Sequence, residues 1–276
     1  RGLFETAYLH SPYRYTVIGY PDVFNRISRE DVFDYYRKMY TPSNQFFIVV
    51  GDIDVKKITD QISAAYKDSP FSPLPPAFIP PEPPQLAPRQ RVEESSIELG
   101  HTHLSWHIPD IRHEDLPALE TLSIILGGGR SSRLYRSLRE EQGVVHAIDA
   151  WTYNPGNPGL FGISAVFDGG QYEKAVQSIE AELQGVREKG VTSSEVAKAV
   201  KQFTSATLAA RKTMQGQAQD LGGAWMAARD LGFSNRYLSQ VQSITAEKIV
   251  EVANRYMFPD TRRTFALLPN ASHPEI

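Results

Sequence analysis

Cysteine is absent from this 276-residue sequence, which excludes disulfides and thiolate metal sites and leaves cytosolic, periplasmic and extracellular compartments equally open. Long apolar runs are missing too. Stretches such as "FFIVV" and "LSIIL" fall well short of the roughly 18–20 residues that span a bilayer. Charge of one sign is not in large excess, the formal net charge being -3, so no basic field exists to hold nucleic acid or an anionic membrane. The opening "RGLFETAYLH" has neither an initiator Met nor the apolar segment of a signal peptide. It reads instead as an amphipathic helix with Leu3, Ala7 and Tyr8 on one side, which leads to the expectation of a chain that starts in mid-protein. What the sequence does have is apolar material, 41% of residues, enough for one large core or two ordinary ones.

Proline is concentrated in one place. Residues 70–91, "PFSPLPPAFIPPEPPQLAPRQR", can neither continue a helix nor donate regularly to a sheet, and predict an extended, semi-rigid linker. Before it, the patterns predict a helix over Glu30–Met39, a strand at "QFFIVVGD" and a helix over Val55–Tyr66 with Ile58, Ile62 and Ala65 on one face. After it come an alternating strand "HTHLSWHIP", a helix over Leu116–Leu126 with Pro117 in its first turn, a glycine turn at 127–129 and a helix over Ser132–Glu141. Ser131 or Ser132 is expected to cap that last helix. Two strands, "VVHAIDAWTY" and "GLFGISAVFD", follow. The remainder is mainly helical, beginning with a helix through Tyr172, Val176, Ile179 and Leu183. A longer one opens on the capping-box pattern Thr192 to Glu195.

The sequence also repeats itself. "ISREDVFDYYRKMYTP" from Ile27 and "ITAEKIVEVANRYMFP" from Ile244 align without gaps, and each is followed by an apolar strand pattern. The offset of 217 residues (244 − 27) is too long for a solenoid and suits a duplicated domain. Only 26 residues precede the first copy, so by this arithmetic about 126 residues of a first domain are expected upstream.

These blocks resemble the pitrilysin, or insulinase, family of zinc metallopeptidases, the inverzincins of the His-x-x-Glu-His motif. The first domain of that family closes with a pattern similar to "AYLHSPYRYTVIGYPDVFNRISREDVFDYYRKMYTPSNQFFIVVGDID". The second contains a block similar to "ILGGGRSSRLYRSLREEQGVVHAI". The resemblance implies an α+β fold in which a domain carrying an antiparallel sheet, with helices over one face, is duplicated. Residues 1–69 would close a truncated catalytic-type domain, 70–91 would link, and 92–276 would form a complete non-catalytic domain that walls a substrate chamber.

No His-x-x-Glu-His occurs in the sequence, and the nearest imitation, His113-Glu114, lacks a second His one turn away. No catalytic residue and no zinc ligand is therefore assigned, and zinc is expected only in the intact parent protein. The implied function is the non-catalytic, substrate-chamber portion of a zinc-dependent endopeptidase. Its implied partners are unfolded peptide, a catalytic domain or subunit, and a homo- or heterodimeric mate. The alternative is a wholly non-catalytic homologue that acts in binding or assembly.

The resemblance also nominates substrate contacts. Arg139 occupies the position of an arginine that reaches toward peptide carbonyls. The family's tyrosine seven residues on, a donor to the developing oxyanion, is replaced here by His146. The ordinary alternative for Arg139 is a helix-end cation facing the C-terminal dipole, paired with Glu140 or Glu141. In "HTHLSWHIP", Thr102, Leu104, Trp106 and Ile108 share one strand face and His101, His103, Ser105 and His107 the other. The family architecture makes the second face wet, which nominates His103 and His107 as wall residues. "GGGRSS" lacks the Lys-Ser/Thr of a phosphate loop, and Gly128 and Gly129 are nominated for minor peptide contacts. Gly143 is expected to end the Arg139 helix, and alternation then places Val144, His146 and Ile148 on one face and Val145 and Ala147 on the other.

Overall fold

Alternation in β2 (Leu99–Ile108) sets the architecture, because Leu104, Trp106 and Ile108 are almost fully buried and need a helical layer over them. The computed structural model describes residues 1–69, 73–74 and 78–270. In chain order these form α1 (Gly2–Ala7), α2 (Pro21–Phe24), α3 (Arg29–Met39), α4 (Val55–Ala65), β1 (Arg89–Ser95), β2 and α5 (Leu116–Gly127). A π-helix (Tyr135–Glu141), β3 (Ala147–Tyr153), β4 (Gly159–Asp168), α6 (Tyr172–Lys189) and α7 (Ser193–Ala210) follow. The chain then runs through α8 (Met214–Ala228), α9 (Phe233–Gln242), α10 (Ala246–Tyr256) and β5 (Arg263–Pro269).

The five strands lie in the order β1-β5-β2-β4-β3. All neighbours are antiparallel except β1 and β5, which run parallel, so the expected antiparallel sheet carries one parallel edge. β1 also begins three residues inside the proline-rich stretch. Within that stretch 70–72 and 75–77 lie outside the described residues, as do 271–276 at the end of the expected second domain. α5, apolar almost all round, buries nine of its twelve residues between the sheet and the outer helices, as a helix without a polar face must. Leu119 and Leu122 of α5, Ile179 and Leu183 of α6, and Ile249 and Val252 of α10 close the core against Trp106 and Phe161. The capping box at Thr192 forms as its pattern predicts.

The repeat is visible in the backbone. Ser28 and Thr245 cap α3 and α10, each helix has 11 residues, and each is followed by a short 3-10 turn, Pro42–Asn44 or Pro259–Thr261. The environments differ. Ile249, Val252 and Ala253 of α10 and its capping residue Met257 are buried, whereas their counterparts Val32, Tyr35, Tyr36 and Tyr40 are 55–61% exposed. The expected strand at "QFFIVVGD" also fails to form. Residues 45–50 join no ladder among the described residues, because a strand exists only where a neighbour takes its hydrogen bonds. The equivalent β5 has such neighbours on both sides.

Candidate functional site

The sheet face turned away from the helices carries the nominated residues, and it is divided. Its β2–β5 end is covered by α1, which buries Leu3, Ala7 and Tyr8 as the amphipathic pattern predicts. His107 lies under this cover: Nε2 donates to the Ala7 carbonyl (2.9 Å), Nδ1 accepts from Arg263 Nη2 (2.9 Å), and the ring stacks on Tyr8 at 5.1 Å. An arginine can only donate, so the proton must sit on Nε2. Burial, then the Arg263 charge, depress the imidazole to about 4. Ser105 is fully buried as well. The expectation of a uniformly wet histidine face is thus corrected: His101 is exposed, His103 is half-buried, and both nitrogens of His107 are occupied within the chain.

His103 sits on the open part of the face. Trp151 Nε1 donates to Ser164 Oγ (2.7 Å), and that oxygen lies 2.9 Å from His103 Nδ1. Trp is donor-only, so the serine hydrogen is free to go to Nδ1, which leaves the proton on Nε2. Burial lowers the His103 pKa, and desolvation raises that of Asp149, which faces Ser164 across the β3–β4 ladder.

His146 and Arg139 are both exposed at the rim, and no hydrogen bond or ion pair joins them among the described residues. Gly143 ends the helix with φ +62°, a conformation glycine adopts without strain. The expected face assignment does not hold. Val144, Val145 and Ile148 are buried while His146 and Ala147 are exposed, because regular pairing begins only at Ala147 and the alternation starts there. His146 Nε2 lies 2.9 Å from Asp168 Oδ1 at the end of β4. The aspartate is 22 residues away in sequence, and no local pattern announces it.

Arg139 stands on the π-helix, where Gln142 N–H reaches back to the Ser137 carbonyl (3.0 Å). Such widened turns recur at functional sites. Its guanidinium lies 4.9 Å from the Tyr135 ring centre. The expected pairing with Glu140 or Glu141 is absent, Glu141 facing Arg136 instead at 3.8 Å.

The glycine loop is shaped first by packing. A Cβ on Gly128 would lie 2.5 Å from the Ile124 carbonyl oxygen, and Gly129 holds φ +92°. Gln202 Nε2 donates to the Gly128 carbonyl (3.3 Å), and Lys198 Nζ reaches both the carbonyl and the hydroxyl of Ser131. Neither Ser131 nor Ser132 caps the next helix: the Ser131 hydroxyl takes Lys198, and Ser132 Oγ is buried without a partner.

Among the described residues no group of three or more His, Asp or Glu is arranged to hold a metal, and no helix is long and apolar enough to cross a membrane. The described residues thus offer no set of side chains matching a zinc site. Dialysed protein is expected to retain less than stoichiometric zinc by metal analysis. One tightly held zinc per chain would overturn this and promote His101 and His103 to ligands.

Residues 26–203 match the peptidase M16 inactive domain. A zinc protease of Streptomyces coelicolor, itself uncharacterized, is 27% identical over 254 residues, covering 86% of this chain and 53% of that protein. The zinc protease PqqE of Helicobacter pylori is 25% identical over 273 residues, 96% of this chain and 60% of its own length. The crystal structure of a protease from Helicobacter pylori superposes with a TM-score of 0.90 at 23% identity, covering 97% of this chain and 65% of that one. The chain thus spans between half and two thirds of the length of the proteins it matches.

Proposed function

The chain belongs to the peptidase M16 family through the inactive domain of that family, and from that premise we propose that it forms the substrate-facing, non-catalytic portion of a zinc-dependent metalloendopeptidase. In this reading residues 1–69 close a catalytic-type domain, 70–91 link, and 92–276 are the second domain. Zinc is held by a catalytic domain or subunit packed against residues 1–69.

The observation that carries this reading is the unequal burial of the repeat. The α10 face is covered by α5 and α6, while Val32, Tyr35 and Tyr36 of α3 and its capping residue Tyr40 stand 55–61% exposed. A contiguous apolar patch of that kind marks an interaction surface. A second α+β layer of the kind that covers α10 would bury it. Unfolded peptide would then lie along the open sheet face beside His103, with Arg139, His146 and the Gly128–Gly129 loop as contacts. In this reading the covering layer is supplied in cis or by a homo- or heterodimeric mate.

The test is reconstitution. Combined with the zinc-bearing portion of its parent protein, the chain is expected to support peptide hydrolysis that neither part shows alone. Val32→Glu with Tyr36→Glu should abolish assembly while leaving the separate chain folded, since both side chains are exposed. A complex that assembles but leaves peptides intact would reject the endopeptidase reading in favour of a binding or assembly role.

A further inference from the structure

Away from that face, α5, the turn after β3, the end of α7, α8 and α9 line a partly open pocket of ≈190 Å³. At about 30 Å³ per liquid water it could hold roughly six waters or one long polar side chain. α5 carries no other charged residue, yet it places Glu120 here. Glu120 Oε2 accepts from Tyr237 Oη (3.0 Å) and from Asn154 Nδ2 (3.1 Å). Asn154 Nδ2 donates also to Thr152 Oγ1 (3.0 Å), so its amide protons are committed, while its Oδ1 is buried without a partner. Phe203 and Phe233 flank the Tyr237 ring, with centroids 6.0 and 5.5 Å away. The one cation among the described residues that line the pocket, Arg211, is matched by Asp220 at 3.1 Å and bonded to Asn235.

The cavity therefore offers a carboxyl group, an unfilled amide oxygen and three aromatic rings, and its own cation is already neutralised. A buried acceptor without a partner calls for a donor, and aromatic rings with a carboxylate favour an organic cation. We propose that this cavity binds a guanidinium or ammonium group on an aliphatic stem, held by Glu120 and Asn154 against the Phe203, Tyr237 and Phe233 rings. Its lining shares no residue with the peptide-facing rim.

Burial raises the Glu120 pKa and also that of Tyr237, which faces it from α9. Arg211 and Asp220 face the same space as a matched pair. A cation prefers the ionised carboxylate, so binding should release a proton and weaken as pH falls through the raised Glu120 pKa.

Calorimetric titration of the full chain with agmatine is expected to show one saturable site with a dissociation constant of about 1 mM or tighter. The uncharged analogue pentylurea should bind at least tenfold more weakly. Glu120→Gln keeps an acceptor for Tyr237 and should cost at least tenfold in agmatine affinity with an unchanged circular dichroism spectrum. Should that variant fail to fold, Phe233→Ala is expected to lose at least fivefold. A blocked Gly-Arg-Gly peptide that competes with agmatine identifies the ligand as a protein side chain, and agmatine binding without competition identifies a free small molecule. Either result supports the site. Absence of saturation by about 20 mM agmatine, equal binding of pentylurea, or full affinity in both variants overturns it.

Discussion

Replacing Arg139 by Ala in the intact protein is expected to lower peptide turnover at least tenfold while leaving thermal stability within about 1 kcal/mol. The side chain is exposed, makes no ion pair among the described residues and rests on the Tyr135 ring, and surface changes of this kind seldom cost more. Under the proposed function the guanidinium instead serves a peptide carbonyl. A charge-assisted bond with water excluded is worth on the order of 1.5–3 kcal/mol, and tenfold corresponds to about 1.4. His146→Tyr in the same protein should preserve or raise activity, since a phenol hydroxyl at that position donates to a developing oxyanion without depending on a ring tautomer. Stability loss in Arg139→Ala without a kinetic defect would reduce the rim to a helix end followed by a strand.

Asp115→Ala is expected to destabilise the chain by about 2–4 kcal/mol, seen as a fall of roughly 5–12 °C in melting temperature. The Asp115 side chain is 0% exposed and sits just before α5. It receives Lys248 Nζ at 2.7 Å, Arg255 Nη1 at 2.5 Å and Tyr256 Oη at 2.7 Å from α10. Removing it strands three polar groups at the α5–α10 contact. The cost stays below that of breaking a fully buried pair because Lys248 and Arg255 remain partly open to water, at 28% and 47%. Asp115→Asn, which still accepts from Tyr256, should cost less.

Burial alone would push the Asp115 carboxyl up, but the bonds from Lys248, Tyr256 and Arg255 outweigh it and hold the pKa below the ordinary aspartate value. This contribution is therefore complete above the unfolded-state pKa of about 3.9 and is lost as pH falls through the lower folded value. Wild-type and Asp115→Ala unfolding curves should converge in acid. A constant gap down to about pH 2 would remove the ionised carboxylate from the explanation.

Local pattern determined much of this protein. The period of two in "HTHLSWHI" sends Leu104, Trp106 and Ile108 into the core. The capping residues at Ser28, Thr192 and Thr245 start three helices where they stand. The gapless repeat reappears as two helices of equal length, each followed by a 3-10 turn. These features depend on neighbours a few residues away, which a linear sequence displays directly. Tertiary structure decided the rest. His103 and His107 are alike in spacing, yet α1, about a hundred residues upstream, closes over one and leaves the other half-open. Asp168 meets His146 because β3 pairs with β4 in one register. The same repeat is core in α10 and bare in α3. Residues 45–50 form no strand for want of a neighbour, and Glu120 faces a pocket assembled from segments between Ile111 and Tyr237. In each case the deciding partner is remote in sequence, and burial and hydrogen bonding, which fix what a side chain can do, are properties of that partner as much as of the residue.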